Sequence, residues 1–264
     1  MIKANPQYWF MFYLGWPDRI KNTSLGGLME REELFHDSNN AEHTRINHSI
    51  TYAVEKRALL WFAAHMPDWV TSDHMSLLGF MAAVLIGISY LLAKQAPVFL
   101  WVAVAGFILN WFGDSMDGTL ARYRKVERPR YGYFLDHSID VICITIILTS
   151  LGFSGYARIE LAWAVNLLYL LMIIYTSLVN FTSRSFQISF ASIGPTEIRI
   201  LAIFMSIWLF FNDQRFIHLG FMDLNILEAI LLLLIVVFVP IYLLSTVLQI
   251  RRLAKEEPLT DRPE

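Results

Sequence analysis

The sequence predicts an all-α integral membrane protein, with six transmembrane helices and an N-terminal amphipathic surface helix. Three observations carry that expectation. The 264 residues are 56% hydrophobic and 17% charged, whereas an ordinary soluble domain is about 45–50% apolar and about 25% charged. Mean hydropathy is +0.46, too high for one soluble core. Apolar runs of about 20 residues, long enough to cross a hydrocarbon core of about 30 Å as a helix, recur six times. Disorder, collagen and a disulfide scaffold are excluded, and the single cysteine, Cys143, cannot form an intrachain bridge. The net charge of −2 says little about partners, because in a membrane protein the placement of charge matters more than its sum.

Taken in order, residues 1–48 form a polar and interfacial segment. Its aromatic run Tyr8 to Trp16, between Pro6 and Pro17, is too short to span and suits docking at the membrane interface, where Trp and Tyr are favoured. Residues 49–73 read as an amphipathic juxtamembrane helix and the turn into the first span. Ile50, Val54, Leu60, Trp61 and Phe62 are expected to face lipid, and Glu55, Lys56 and Arg57 water; a soluble helix packed on the loops is the alternative. Residues 74–252 hold the six spans, near Met75–Leu92, Pro97–Arg122, Gly132–Leu151, Leu161–Phe181, Glu197–Phe211 and Ile226–Ile250. The fifth is the shortest, and Pro195 suits its first turn, where a missing N–H costs nothing. Residues 253–264 form a tail.

Basic residues set the orientation. The segment Arg122–Arg130, Arg184 and Arg199 before the fifth span, and Arg251, Arg252 and Lys255 after the sixth provide ten Lys/Arg, against Lys94, Arg158 and Arg215 in the opposite loops. The positive-inside rule puts the richer side, with both termini, in the cytoplasm. These basic residues are scattered over membrane-proximal loops, so nucleic acid is not an expected partner.

The chemistry concentrates at the end of the second span and the start of the third. There the chain reads Gly113-Asp114-Ser-Met-Asp117-Gly118-Thr-Leu-Ala121-Arg122, then Gly132-Tyr-Phe-Leu-Asp136-His-Ser-Ile-Asp140. Each aspartate at such depth costs about 2.5–3.5 kcal/mol on insertion scales. Asp114, Asp117 and Ala121 share one helical face, as do Gly132, Asp136 and Asp140 on the next helix. Antiparallel packing of the two helices is expected to bring the four carboxylates together, where they repel unless protons or cations neutralise them. Oxygen ligands without His or Cys select Mg²⁺, Mn²⁺ or Ca²⁺, and access to phosphate oxygens favours Mg²⁺ or Mn²⁺; there is room for two ions. Gly118 and Ala121 leave space for a ligand, and Arg122 can pair with phosphate oxygens. The pattern therefore describes a metal-dependent diphosphate site. A cation pathway is the rival reading, but it does not need the glycines, Ala121 or Arg122.

Asp114-xx-Asp117-Gly118-xx-Ala121-Arg122-x9-Gly132-xxx-Asp136-xxx-Asp140 resembles the complete signature of the CDP-alcohol phosphotransferase (CDP-alcohol phosphatidyltransferase) family, with every fixed position filled. The resemblance runs more loosely from about Glu55 to Arg252. It implies a six-span enzyme of phospholipid synthesis that cleaves a CDP-linked donor, moves the substituted phosphate to an alcohol acceptor and releases CMP. It also implies that Asp114, Asp117, Asp136 and Asp140 bind divalent metal, that Asp140 is the base on the acceptor hydroxyl, and that the protein is a homodimer. By the same resemblance Gly118, Ala121, Arg122 and Gly132 line the CDP site. Pro67-Asp-Trp-Val-Thr-Ser-Asp73-His-Met-Ser76 resembles the family's approach to the first span, with Ser72 and Asp73 in place of the usual Pro-Asn pair. Asp73 is divided between a nucleotide role and that of helix N-cap.

The donor expected is CDP-diacylglycerol, with a small polar alcohol as acceptor. The alternative within the family is CDP-choline or CDP-ethanolamine with diacylglycerol, and the alternative of another class is a cation transporter or non-catalytic membrane subunit. Arg199 is expected to reach substrate from the start of the fifth span; Glu197 divides between that role and favouring the helix start. Asn110, one turn before Asp114, is placed to orient it or to bond to another helix. His137 is expected to pack or support Asp136, and Trp101, Trp111, Trp163 and Trp208 to face lipid or pack.

Overall fold

A computed structural model describes residues 52–182, 195–212, 216–218 and 223–257. The segment 1–48 with its Tyr8 to Trp16 run, Ile50, Arg184, Arg215 and residues 258–264 lie outside the described residues. Among the described residues the chain is helical apart from one short ribbon: α1 (Tyr52–His65), α2 (Ser72–Ala93), α3 (Phe99–Tyr123), α4 (Pro129–Phe153), α5 (Ile159–Thr182), α6 (Pro195–Phe211), β1 (Phe216–His218), β2 (Asp223–Asn225) and α7 (Ile226–Glu256).

Five of these helices, α2, α3, α4, α5 and α7, are long and apolar enough to cross a membrane. The protein is a multi-pass membrane protein. Helix α6, with 17 residues, rises about 26 Å at about 1.5 Å per residue, short of the about 30 Å of a hydrocarbon core. It begins at Pro195, whose missing N–H is harmless in a first turn.

Helix α2 lies between α3 and α4, which both pack on it, while α6 and α1 pack on α3 and α5 bridges α4 and α7. Small residues permit this. A Cβ on Gly106 would stand 2.6 Å from Ile86 Cγ1, and one on Gly87 2.8 Å from Ser150 Oγ, so the helices approach as closely as small residues allow. The core around α2 contains Ala83, Ile86, Tyr90, Leu100, Ala103 and Phe107. Large apolar side chains also cover the outside, including Leu77, Met81 and Ile88 of α2 and Leu233, Val236, Leu243 and Leu244 of α7, as lipid contact requires.

The α2 start differs from expectation. Its N-cap is Thr71, whose hydroxyl accepts from the His74 N–H while the His74 ring accepts from the Thr71 N–H. Asp73 lies inside the first turn and pairs with Arg128. Helix α1 buries Leu59 and Ala63 with Met116 and Leu120 of α3, while Leu60, Trp61 and Phe62 are exposed. Lys56 and Arg57 are exposed, but Glu55, expected to face water, turns inward and accepts from Trp111 Nε1 at 2.9 Å and Ser115 Oγ at 3.0 Å. A carboxylate facing an indole N–H and a hydroxyl gains two donors that a helical-wheel reading cannot see.

At the other end β1 and β2 pair antiparallel, with Phe216 opposite Asn225. Asn225 caps α7 in a reciprocal box with Glu228, and the buried Glu228 carboxylate also meets Arg158 at 3.3 Å. This anchors the α4–α5 turn to the start of α7.

Candidate active site

Asp114 and Asp117 belong to the last turns of α3 and Asp136 and Asp140 to the first turns of α4. The preceding Gly113 places the first pair. A Cβ at Gly113 would lie 2.5 Å from Gly79 N and 2.7 Å from the Met75 carbonyl oxygen, so only glycine lets α3 press its backbone onto α2 there. The expected direct packing of α3 on α4 gives way to another arrangement, in which each packs closely on α2 and the acidic faces meet across a cleft. Four packed carboxylates would force the helices apart, and α2 holds both while leaving that space open.

The cleft, about 260 Å³ including solvent at its mouth, is lined by all four aspartates together with Ser76, Gly79, Asn110, Ile139 and Cys143. One carboxylate oxygen each from Asp114, Asp136 and Asp140 lies within 4.8 Å of the others. Mg²⁺ takes oxygen ligands at about 2.0–2.1 Å, so oxygens sharing an ion stand about 3–4 Å apart. The three carboxylates are close enough to hold a divalent cation after a small contraction, and the all-oxygen donor set suits a hard ion.

Asp117 faces the same cleft with different bonds. Its Oδ2 accepts from Ser76 Oγ at 2.7 Å and its Oδ1 from the Gly118 N–H at 2.5 Å. A carboxylate offers about four lone-pair sites, so these bonds orient Asp117 and leave acceptor capacity. Ser76, on α2, closes the Pro67–Ser76 stretch but has no role of its own in the sequence pattern; a serine one helical turn from Ser72 in an apolar span was the available signal. Asp114 is held by Arg199 of α6, Nη2 to Oδ2 at 2.8 Å. Arg199 Nε also donates to Asn110 Oδ1 at 2.9 Å, and Asn110 Nδ2 donates to the Gly79 carbonyl at 2.9 Å. Asn110 thus bonds to another helix and, through Arg199, steadies Asp114, combining the two roles open to it.

The residues expected to bind nucleotide lie outside this cleft, at the ends of the same helices. The Arg122 guanidinium lies over Gly118, where a Cβ would meet Nη1 at 3.1 Å, and Nη2 reaches Thr119 Oγ1 at 3.4 Å. Ala121 precedes it on α3. Gly132, in the first turns of α4, has open space where a side chain would be. His137 donates from Nδ1 to the Tyr133 carbonyl, stacks 4.1 Å from the Tyr133 ring and stands 3.6 Å from Asp136 Oδ2, in keeping with the packing and supporting role expected of it.

Two arginines between α3 and α4 fix the turn into α2. Arg124 donates to the carbonyls of Met66, Pro67, Asp68 and Val70. Arg128 pairs with Asp73 at 2.5 Å and lies 4.0 Å from the Tyr131 ring centre; hydrogen bonding to Asp73 raises its already high pKa. Ser72 Oγ donates to the Asp117 carbonyl at 2.9 Å. The start of α2 is thereby tied to the acidic end of α3.

A comparison with curated proteins gave no match. Residues 64–248 match the sequence model of the CDP-alcohol phosphatidyltransferase family, about 70% of the chain, a stretch that runs from the end of α1 into the last turns of α7 and holds both acidic helices and α2 between them. The fold is helical and multi-pass, and three carboxylates converge closely enough to hold a cation; on that match the chain belongs to the CDP-alcohol phosphatidyltransferase family, transferases of substituted phosphate groups.

Proposed function

We propose that the protein moves a phosphatidyl group from CDP-diacylglycerol to a small polar alcohol, using Mg²⁺ or Mn²⁺, with two ions held among Asp114, Asp117, Asp136 and Asp140. The observation that carries this reading is the convergence of carboxylate oxygens from Asp114, Asp136 and Asp140 in one cleft. When bound, the cation supplies charge neutralisation on the diphosphate. Asp140 takes the acceptor's hydroxyl proton. The acceptor oxygen bonds to the phosphorus bearing diacylglycerol, the bond from that phosphorus to the bridging oxygen breaks, and CMP leaves with that oxygen. Gly118, Ala121 and Gly132 keep the surface low for the CDP moiety, Arg122 pairs with its phosphate oxygens, and Arg199 serves the anionic substrate from α6.

Helix α6 is the fifth of six spans in this reading, alongside the five longer helices. Six spans place both termini and the carboxylate cleft on the cytoplasmic side, in line with the excess of Lys/Arg there. Helix α1 then lies along that surface with Leu60, Trp61 and Phe62 toward lipid. The resemblance to the family supports a homodimer.

Incubation of the purified protein with labelled CDP-diacylglycerol or CDP-choline, Mg²⁺ or Mn²⁺, candidate alcohols and diacylglycerol tests the reading. Metal-dependent CMP release from CDP-diacylglycerol is expected. Turnover of CDP-choline with diacylglycerol instead transfers the protein to the choline and ethanolamine branch, and no CMP from either donor overturns the reading. Lipid profiling of cells that gain the protein identifies the acceptor by the headgroup that appears.

A further inference from the structure

Arg199 stands in the carboxylate cluster, yet it comes from α6, which contributes no acidic ligand to it. Its side chain is 15% exposed and that of its partner Asp114 is 26% exposed. Pairing is tight at 2.8 Å, and the geometry of Asn110 shows it is built in. Asn110 is 6% exposed. Its Nδ2 faces the Gly79 carbonyl, which can only accept, and its Oδ1 faces Arg199 Nε, which can only donate, so the amide has one orientation. A bonded chain therefore runs from the α2 backbone through Asn110 and Arg199 to Asp114.

We propose that Arg199 is a displaceable counter-ion of the metal site: it holds Asp114 while the site is without metal, competes with an arriving divalent cation, and is released by that cation toward the anionic substrate. This inference rests on the reading that the aspartates hold a divalent ion. A guanidinium is permanently charged and relieves part of the mutual repulsion of the four carboxylates. A dication placed among the same carboxylates meets the repulsion of the guanidinium and, wherever it uses Asp114 Oδ2, competes with the pair directly. Coupling of this kind is reciprocal: whatever the cation does to the Arg199–Asp114 pair, the pair does to cation affinity.

The test is Mn²⁺ binding to the full-length protein in detergent, read by the electron paramagnetic resonance signal of free Mn²⁺ without substrate. Wild type is expected to bind Mn²⁺ and Asp114→Asn to bind it more weakly. Arg199→Gln is expected to bind Mn²⁺ about tenfold more tightly, within the usual range of coupling between sites, and to unfold at lower temperature in EDTA because the carboxylates lose their counter-ion. Arg199→Lys keeps the charge but loses the fork, and should fall between the two. Asn110→Ala frees Arg199 Nε and provides a second variant should Arg199→Gln fail to fold; it should also tighten Mn²⁺, by a smaller factor. Unchanged or weaker Mn²⁺ binding in Arg199→Gln, or in Asn110→Ala if the first does not fold, overturns the proposal while leaving the metal reading intact. No Mn²⁺ binding by wild type overturns both.

Discussion

A carboxylate at membrane depth costs about 2.5–3.5 kcal/mol on insertion scales, and three of the four aspartates meet that cost with partners of their own. Asp114 has Arg199, Asp117 has Ser76 and the Gly118 N–H, and Asp136 has His137 beside it. Asp140→Asn keeps the shape and removes the proposed proton acceptor. Turnover should vanish while the purified variant stays folded by its elution profile and thermal unfolding; near-normal CMP release would remove Asp140 from the role. Gly118 separates function from folding in a second way. A Cβ there meets only the flexible end of Arg122, so Gly118→Ala should leave the melting temperature within about 2 °C, in keeping with surface substitutions that change stability by about 0.5 kcal/mol or less. Its KM for the CDP-linked donor should rise several-fold as Arg122 is displaced, and an unchanged KM would separate Gly118 from the donor site.

Among the elements, the crossing of α2 and α3 is the most demanding. A methyl group at Gly113 collides with the backbone at Gly79 and Met75, atoms that cannot swing aside. Gly113→Ala should lower stability by about 1–3 kcal/mol, the usual range for overpacking, and weaken Mn²⁺ binding because Asp114 moves with its neighbour; a melting curve and a metal titration matching wild type would show that the helices separate at no cost. Much of this level was legible in the sequence. The second span expected near Pro97–Arg122 is the helix Phe99–Tyr123, and the sixth, near Ile226–Ile250, runs to Glu256, because apolar runs and turn residues report helices locally. The face shared by Asp114 and Asp117, and that shared by Asp136 and Asp140, followed from helical periodicity. Long-range choices of partner were not legible. Glu55 meeting Trp111, Arg124 gripping the Met66–Val70 turn, and Arg199 reaching Asp114 join residues more than 50 positions apart, and no local period encodes them. The β1–β2 ribbon escaped notice because three-residue strands carry too little alternation to register.

For the whole molecule, the proposed six-span arrangement makes a prediction about sidedness. In a background with Cys143→Ala, Glu257→Cys at the end of α7 should react with a membrane-impermeant maleimide from the cytoplasmic side, and Asp223→Cys before α7 only from the opposite side. Reaction of both from one side would break the proposed topology. The position of α2 between α3 and α4 reaches further than packing. The two acidic helices lean on a third that bears none of the four aspartates, so α2 works as a spacer whose thickness sets the gap between the opposing carboxylates. Small residues along it, Ser76 and Gly79 above all, line that gap directly. In the proposed metal site the spacing of the ligands is therefore set from a helix that bears none of the four aspartates, and a single methyl group added on α2, at Gly79, bears on which ion fits without any aspartate being substituted.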